Sequence, residues 1–326
     1  MRLLITGATG KVGQAFLAQF LAQSEYADWA VTAVCHNRQI ESSDRVTVIK
    51  GSIADPATVA KAMKGVTHVL HMAAVKESPD MVVDVALKAM FVMLEEARHS
   101  ETLRQFVLIG GDCSVGHIFH KYPAPITEDA PRMAYPGCYA LTKVVEEVML
   151  EQYQIQYGLN GCILRAPWIM EKDDFKYALS FGEDQFGGPI WSDLMPEKEA
   201  AAHARDGKVP LMRDADGAPL KRNFVHVDDL VKAIIAALDN PAAHQSLFHI
   251  CMNEPIDYQQ IANYLETKKG IQSVDVPTPY FSNWLDNSKA RLKLDWQPDN
   301  DFEALIERAW AYERSPSDPR KIWYPG

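Results

Sequence analysis

The chain has 326 residues, of which 47% are hydrophobic and 23% are charged, and its formal net charge is −10. This composition excludes a disordered or fibrous protein, and the length allows one large domain or two modest ones. The acidic balance argues against broad nucleic-acid binding, which depends on clustered lysine and arginine.

Short apolar runs alternate with helical patterns over about the first 115 residues. The predicted strands lie at 2–6, 30–35, 46–50, 67–71 and 105–109. The predicted helices between them lie at 14–24, 57–64 and 81–99. Strands that alternate with helices form parallel βαβ units with right-handed crossovers. The pattern therefore predicts an α/β fold with a Rossmann-like, doubly wound parallel sheet.

The second part of the chain is less regular. A loop at 117–137 is broken by four prolines, a long helix is predicted at 138–157 and a sixth strand at 161–164. Further helices are predicted at 228–238 and 257–268. The stretch from 168 to about 223 is rich in Gly, Pro, Trp and acidic residues and is expected to cover a substrate.

These patterns predict two domains. Residues 1–167 form the dinucleotide-binding Rossmann domain. Residues 168–326 form mainly a smaller C-terminal substrate-binding lobe, with segments at about 222–250 that return to the Rossmann core.

A glycine-rich loop directly follows the first strand and opens the first helix. Gly7 allows the tight turn, Gly10 lets the backbone approach a pyrophosphate, and Gly13 lets the helix pack against the strand. The helix N-terminus favours the negative charge of the pyrophosphate. The loop predicts a dinucleotide site that also includes Thr9, Lys11 and Val12.

The end of the second strand usually selects the cofactor. An acidic residue there binds the ribose hydroxyls of NAD, whereas an arginine accepts the 2′-phosphate of NADP. The chain carries His36 and Arg38 at this place and no acid. We therefore predict NADP in preference to NAD, the alternative being that Arg38 belongs to a solvated loop.

Tyr139 and Lys143 stand four residues apart, on one face of the helix predicted at 138–157. A lysine charge beside a tyrosyl hydroxyl can lower the pKa of the phenol. The tyrosine then exchanges a proton with the substrate while hydride moves to or from the nicotinamide. We predict that the pair is catalytic.

With these motifs the chain resembles the extended short-chain dehydrogenase/reductase family, also called NAD-dependent epimerase/dehydratases. TGATGKVG, YALTK, ILRAP and RNFVHVDDLVKAI stand in order along the chain like successive family signatures. The resemblance covers nearly the whole chain, and it implies an NAD(P)-dependent oxidoreductase or epimerase.

The resemblance also implies roles for further residues. It places Lys143 at the nicotinamide ribose and Arg222 at a substrate phosphate. It assigns the following residues to the cofactor: Ser52 and Ile53 beside the adenine, Met72, Ala73 and Ala74 along ribose and phosphates, and Pro167 and Trp168 near the nicotinamide. Trp168 is expected to touch the substrate as well.

The chain departs from the family after the fifth strand, where a Ser/Thr hydroxyl usually holds the substrate oxygen. That position falls near Gly111, and the alternatives are Ser114 as a catalytic hydroxyl, Asp112 as a substrate-binding group, a water, or no donor. A missing donor would cost on the order of 10²-fold in rate. Trp168-Ile169-Met170 also departs from the run usual in nucleotide-sugar enzymes.

Three functions remain open. The first is an oxidoreductase or epimerase for a sugar, sugar acid or related carbonyl or hydroxyl compound. The second is a reductase of an apolar ketone or aldehyde, and the third is a non-catalytic NAD(P)-binding sensor. In the second case the pocket wall would be formed by Trp168, Phe175, Phe181, Phe186 and Trp191.

The expected partners are a small-molecule substrate and a second copy of the chain, because the helices at 81–99 and 138–157 would form the dimer interface of the family. We expect no nucleic acid and no metal site, with His117 and His120 as loop residues. No apolar run approaches the ~20 residues of a membrane span, and no CxxC pair or signal peptide is present. A cytoplasmic location is therefore expected.

Overall fold

The computed structural model describes residues 1–123, 125–182 and 189–318. The strands are β1 (Arg2–Thr6), β2 (Ala30–Cys35), β3 (Val46–Lys50), β4 (His68–His71), β5 (Gln105–Gly111), β6 (Gly161–Ala166), β7 (Trp168–Met170), β8 (Val209–Arg213), β9 (Lys221–Arg222), β10 (Phe224–His226), β11 (Ser246–His249), β12 (Ile256–Asp257) and β13 (Ser273–Pro277). The helices are α1 (Lys11–Ala22), α2 (Pro56–Met63), α3 (Pro79–Val82), α4 (Ala89–Arg98), α5 (Cys138–Tyr157), α6 (Asp174–Ala178), α7 (Glu197–Arg205), α8 (Val227–Ala237), α9 (Tyr258–Lys269), α10 (Ser288–Leu294) and α11 (Phe302–Ala311).

Seven parallel strands form the central sheet, in the order β11-β6-β5-β4-β1-β2-β3. The strand order reverses between β1 and β4, and ligands of such sheets bind beyond the carboxyl ends of the strands at this reversal. The predicted Rossmann-like α/β fold is confirmed. The last strand of the sheet, β11, comes from the far end of the chain and pairs with β6.

Apolar side chains cover both faces of this sheet. Leu3 and Ile5 of β1 point to one face and Leu4 to the other, as the two-residue period of a strand requires. The first face packs against Phe16 and Phe20 of α1 and Leu230 and Ile234 of α8. The second packs against Met90 and Met93 of α4 and Leu150 of α5. Each such side chain contributes about 1.5–3 kcal/mol when it is fully buried.

A second apolar core lies outside the sheet and holds the C-terminal lobe together. It includes Leu211 of β8, Phe224 of β10, Ile261 and Leu265 of α9, and Ile306 of α11. The stretch from 168 to 223, expected to be irregular, contains α6, α7 and short strands. These elements were missed because they are only two to nine residues long, which is too short for a periodic pattern.

The long helices agree closely with the sequence. α5 has the predicted bounds and ends at Gly158, whose φ of 67° is favourable for glycine. The helix predicted at 81–99 runs from Pro79 to Arg98, but a π-helical segment, Val83–Lys88, interrupts it. In the described part of the chain, no helix combines the length and apolar character needed to cross a bilayer.

Candidate active site

A cavity of about 940 Å³ opens at the carboxyl ends of the sheet strands. Its wall contains the predicted cofactor residues Gly7, Thr9, Gly10, Lys11, Val12, Gly13, His36, Ser52, Ile53, Met72, Ala73, Ala74, Lys143, Pro167 and Trp168. It also contains Asp112, Tyr139 and Arg222. The structure therefore brings together all but two of the predicted site residues, the exceptions being Arg38 and Ser114.

The glycine loop leaves no room for side chains at its two ends. Gly7 has a φ of 73°, and a Cβ on it would lie 2.8 Å from the backbone nitrogen of Ala73. A Cβ on Gly13 would lie 2.3 Å from the carbonyl oxygen of Gly7. Gly10 caps α1 without a side-chain acceptor. The first N–H groups of α1 are thus left without a side-chain cap beside the cavity, where they suit an anion.

Thr6 fixes the neighbouring loop. Its hydroxyl oxygen accepts hydrogen bonds from the backbone nitrogens of Met72 and Ala73, both at 3.2 Å. The same hydroxyl lies 2.7 Å from Nδ1 of His71, to which it donates. Burial lowers the pKa of His71 to about 3, so the ring stays neutral. This cluster of β1 and β4 holds together the two adjacent loops that follow these strands in the cavity wall.

Lys11 and Arg38 contact neighbouring protein groups. Lys11 forms an ion pair with Asp174 of α6, and it donates to the carbonyl oxygen of Ile169 at 3.0 Å. The guanidinium of Arg38 donates to Oγ1 of Thr9 at 3.4 Å and lies outside the cavity wall. Lys11 thus ties the glycine loop to the C-terminal lobe.

Ser114 does not reach the cavity. Its hydroxyl is fully buried and donates to the carbonyl oxygen of Gly111 at 2.8 Å and to Oε1 of Glu147 at 2.9 Å. The reason is local: after Gly111 the chain enters a 3₁₀ turn, Asp112–Val115, which directs Ser114 toward α5. Ser114, expected as a catalytic hydroxyl, is instead buried between β5 and α5 and is not part of the cavity wall.

Asp112 occupies the cavity wall directly after β5. Its Oδ2 pairs with Nδ1 of His117, and both residues are 8% exposed and line the cavity. His117 has a φ of 48°, which is uncommon for a residue other than glycine and often marks functional sites. Oδ1 of Asp112 and Nε2 of His117 make no hydrogen bond within the described residues. A polar pair thus stands where a hydroxyl was expected.

Tyr139 lies in the first turn of α5, whose N-terminus is fixed by Glu77. Oε2 of Glu77 accepts from the backbone nitrogens of Cys138 at 2.9 Å and of Tyr139 at 3.4 Å. The ammonium of Lys76 lies 4.2 Å from the centre of the Tyr139 ring. Burial lowers the pKa of Lys76 to about 7.

The pKa of Tyr139 lies well above its usual value, first because of burial and then because of nearby acidic groups that include Glu146 and Asp112. This is opposite to the direction expected from Lys143 alone. Lys143 is bound elsewhere: its Nζ donates to Oε2 of Glu146 at 2.8 Å and to the carbonyl oxygen of Ile109 at 3.1 Å. The lysine charge is therefore matched by a buried carboxylate.

Arg222 and Trp168 form the far wall of the cavity. The guanidinium carbon of Arg222 lies 4.1 Å from the centre of the Trp168 ring, in a cation–π contact. The other described aromatic residues of the apolar hypothesis, Phe175, Phe181 and Trp191, are buried in the second core and do not line the cavity. Phe186 lies outside the described residues.

Sequence reasoning missed three residues of the site. Lys76 stands two residues after the predicted cofactor residue Ala74, and Glu146 stands one helical turn after Lys143. Helical spacing was a sufficient signal for Glu146, whereas His117 was treated as a loop residue because its partner Asp112 is not on a helix. Among the described residues, no group of three or more metal-ligating side chains is arranged around a common point.

Comparison with known proteins adds a family and a fold. The model of a family described as the NAD dependent epimerase/dehydratase family matches residues 3–171. UDP-glucuronate 4-epimerase 2 of Arabidopsis thaliana is 24% identical over 94% of this chain and 74% of its own length. UDP-glucose 4-epimerase of Mycolicibacterium smegmatis is 27% identical over 91% of this chain and 94% of its own length.

Two solved structures share the fold. A short-chain dehydrogenase/reductase superfamily protein from Agrobacterium tumefaciens with bound NAD has a TM-score of 0.78 at 22% identity, over 95% of this chain and 96% of its own. UDP-glucuronic acid 4-epimerase from Bacillus cereus, in complex with UDP-glucuronic acid and NAD, has a TM-score of 0.71 at 19% identity, over 96% and 98%.

Proposed function

Because this chain belongs to the NAD dependent epimerase/dehydratase family, we propose that it oxidises or epimerises the sugar of a nucleotide sugar with NAD as its cofactor. Family membership and the likeness to two epimerases make it an enzyme of the oxidoreductase and epimerase kind. One observation carries the proposal: the glycine loop, Tyr139 and Arg222 line one cavity. The reaction needs a dinucleotide site, a proton-transfer group and a cation for phosphate.

The residues present fit a dinucleotide. Gly7 and Gly13 pack tightly against neighbouring backbone, which lets the loop turn sharply into the N-terminus of α1, where a pyrophosphate would bind. Ser52 and Ile53 would hold the adenine, and Lys143 would hold the ribose next to the nicotinamide. When bound, the nicotinamide supplies hydride transfer.

NAD replaces NADP in this proposal. The Agrobacterium tumefaciens and Bacillus cereus structures contain NAD. In this chain Arg38 contacts Thr9 and lies outside the cavity wall, so it is not placed to receive a 2′-phosphate inside the cavity. His36 does line the cavity and is exposed there. We assign it to the adenosine ribose.

Tyr139 is the acid/base group. In the oxidising direction Tyr139 takes the proton of the sugar hydroxyl, and in the reducing direction it returns the proton to the carbonyl oxygen, for which its raised pKa keeps the phenol protonated. Asp112 takes the place of the missing hydroxyl. Its carboxylate accepts a hydrogen bond from a substrate hydroxyl, while His117 fixes its orientation.

The substrate proposal rests on Arg222. Arg222 is 2% exposed, and its guanidinium carbon lies 4.1 Å from the centre of the Trp168 ring in the cavity wall, where an arginine suits the diphosphate of a nucleotide sugar. The two epimerase relatives are named for UDP-glucuronate and UDP-glucose. The apolar-ketone alternative loses support, because Phe175, Phe181 and Trp191 pack into the second core. No observation favours the non-catalytic sensor.

The chain forms a homodimer in this proposal. The helical stretch 79–98 and α5 expose apolar side chains: Met81 42%, Val83 56%, Phe91 51%, Leu141 57%, Val148 37% and Ile155 71%. Contiguous exposed apolar patches mark interaction surfaces. A second copy of the chain, related by a two-fold axis, could pack its own stretch 79–98 and α5 against those of the first copy. The exposed apolar side chains of both copies would then be buried between them.

The direct test is a titration of the purified protein with NAD+, NADH and NADPH, followed by incubation with UDP-glucose and with UDP-glucuronic acid and product analysis by NMR. The proposal expects tighter binding of NADH than of NADPH and a new sugar product. Binding of neither dinucleotide would overturn the proposed function. Binding of NADPH alone would support the original prediction that Arg38 binds the 2′-phosphate of NADP.

A further inference from the structure

Glu146 is a buried acid that the proposed reaction has not yet used. It lies one turn after Lys143 on α5, is 0% exposed, and its Oε2 accepts from the lysine ammonium at 2.8 Å. Its other oxygen, Oε1, has no hydrogen-bond partner within the described residues. A buried carboxylate with one unsatisfied oxygen opposes folding. The contact with Lys143 satisfies one oxygen of Glu146 and leaves the other without a partner among the described residues, beside the active site.

The contact with Glu146 limits what Lys143 can do. An ammonium has three N–H donors. One goes to Glu146 and one to the carbonyl oxygen of Ile109, at 3.1 Å, and these are the two acceptors of Lys143 in the described chain. The third donor remains for a ligand in the cavity that Lys143 lines. The two buried acceptors therefore fix the ammonium at the cavity wall.

The same contact changes the charge near Tyr139. Burial raises the pKa of Glu146, while the ammonium of Lys143 lowers it. In its charged form Glu146 offsets the effect of Lys143 on the phenol, and it adds to burial, Cys113 and Tyr135 in raising the pKa of Tyr139. The other titratable groups around Lys143 and Tyr139 are Glu147 on α5, His71 on β4, Lys76 after β4, Asp112 and Cys113 after β5, and Tyr135 before α5. Glu146 is the acid among them in direct contact with Lys143.

We propose that Glu146 is a positioning residue, which holds Lys143 toward the cofactor ribose and offsets the charge of Lys143 near the hydroxyl of Tyr139. This inference rests on the proposed function, because it assigns Lys143 and Tyr139 the roles given there.

Two variants of Glu146 distinguish its effect on the position of Lys143 from the effect of its negative charge. Glu146→Gln keeps an oxygen that accepts from Lys143 but removes the charge, and Glu146→Met removes both at similar length. The matched control is Glu151→Gln, at an exposed acid on the same helix that pairs with Arg132. Protein labelled with [13Cζ]tyrosine is followed by NMR up to about pH 12, without and with NAD+, and the ionised fraction of Tyr139 at each pH is compared between the variants. Tyr139→Phe identifies the signal.

In both Glu146 variants Tyr139 should ionise at a pH lower by about one unit than in the wild type, and in the control it should not. NAD+ affinity should stay near the wild-type value in Glu146→Gln and fall about 2- to 10-fold in Glu146→Met. Unchanged ionisation of Tyr139 in both variants would overturn the inference. Failure of the wild type to bind NAD+ would instead contradict the proposed function, and the titration without NAD+ would still decide the role of Glu146.

Discussion

Arg165 and Glu147 form a fully buried, two-pronged ion pair between β6 and α5. Nε of Arg165 donates to Oε1 at 2.8 Å and Nη2 donates to Oε2 at 2.7 Å. Glu147 also accepts from Nε of Arg132 at 3.0 Å and from the hydroxyl of Ser114. Because Tyr139 and Lys143 lie on the same helix, this pair fixes the reacting groups relative to the sheet.

Breaking that pair should destabilise the protein strongly. Glu147→Gln leaves the Arg165 charge buried and replaces one of its two carboxylate acceptors by an amide NH2, which cannot accept a hydrogen bond. Removal of one partner from a buried ion pair costs about 3–5 kcal/mol. The measurement is the free energy of unfolding in urea. Glu151→Gln, at an exposed position on the same helix, is the control. A loss below about 1 kcal/mol in Glu147→Gln would contradict this account.

Ser114→Ala should have a small effect on both stability and activity. The hydroxyl donates to Gly111 and Glu147 and faces away from the cavity. We expect a loss of about 1 kcal/mol in the free energy of unfolding. Turnover should stay within about threefold of the wild type, whereas a lost oxyanion donor costs about 10²–10³-fold. A loss of the latter size would restore Ser114 to the active site.

The fold was predictable where the pattern was strong. The glycine loop after β1, the alternation of strands and helices, and the apolar face of α5 each carry a local signal that the tertiary structure agrees with. β9 and β12 have two residues each, and they pair only because the C-terminal lobe brings Arg222 beside Ile256. Contacts of that kind leave no periodic trace in the sequence.

The site was predictable in its cofactor half and less so in its reacting half. The glycine spacing places Gly7 and Gly13 directly. Ser114 was misplaced because a single 3₁₀ turn after Gly111 decides which side chain faces the cavity. His117 was missed because its positive φ, which brings it against Asp112, has no signature in the residues around it.

Lys76 should make stability depend on pH. Its pKa in the folded protein is about 7, below its ordinary value of 10.5, so between these values the unfolded chain binds more protons. As the pH rises from about 7 to 10.5, the contribution of Lys76 to the free energy of unfolding therefore becomes more favourable to the folded protein. The difference in unfolding free energy between wild type and Lys76→Met should rise accordingly. An equal rise with the exposed control Lys64→Met would contradict the assignment.

The proposed dimer predicts a clean change in assembly. Phe91→Asp places a charge on the exposed face of α4, where Phe91 is 51% exposed, and should leave a monomer of 36.5 kDa by light scattering. Leu292→Asp is the control, because Leu292 is 85% exposed on α10 and lies away from this face. A wild-type protein that is monomeric, or a dimer that survives Phe91→Asp, would argue against the helical interface.

Tyr139→Phe isolates the proton-transfer step. The ring that packs beneath Lys76 remains, while the hydroxyl is lost. General acid–base catalysis contributes about 10²–10⁴-fold, so turnover of the nucleotide sugar should fall by that factor. NAD+ affinity should stay within about twofold, because one hydroxyl is removed and Lys143 keeps its contacts with Glu146 and Ile109. Stopped-flow measurement of NADH formation separates the two effects. Wild-type rates in Tyr139→Phe would show that a different group moves the proton. Asp112 and His117 would then be the next residues to substitute.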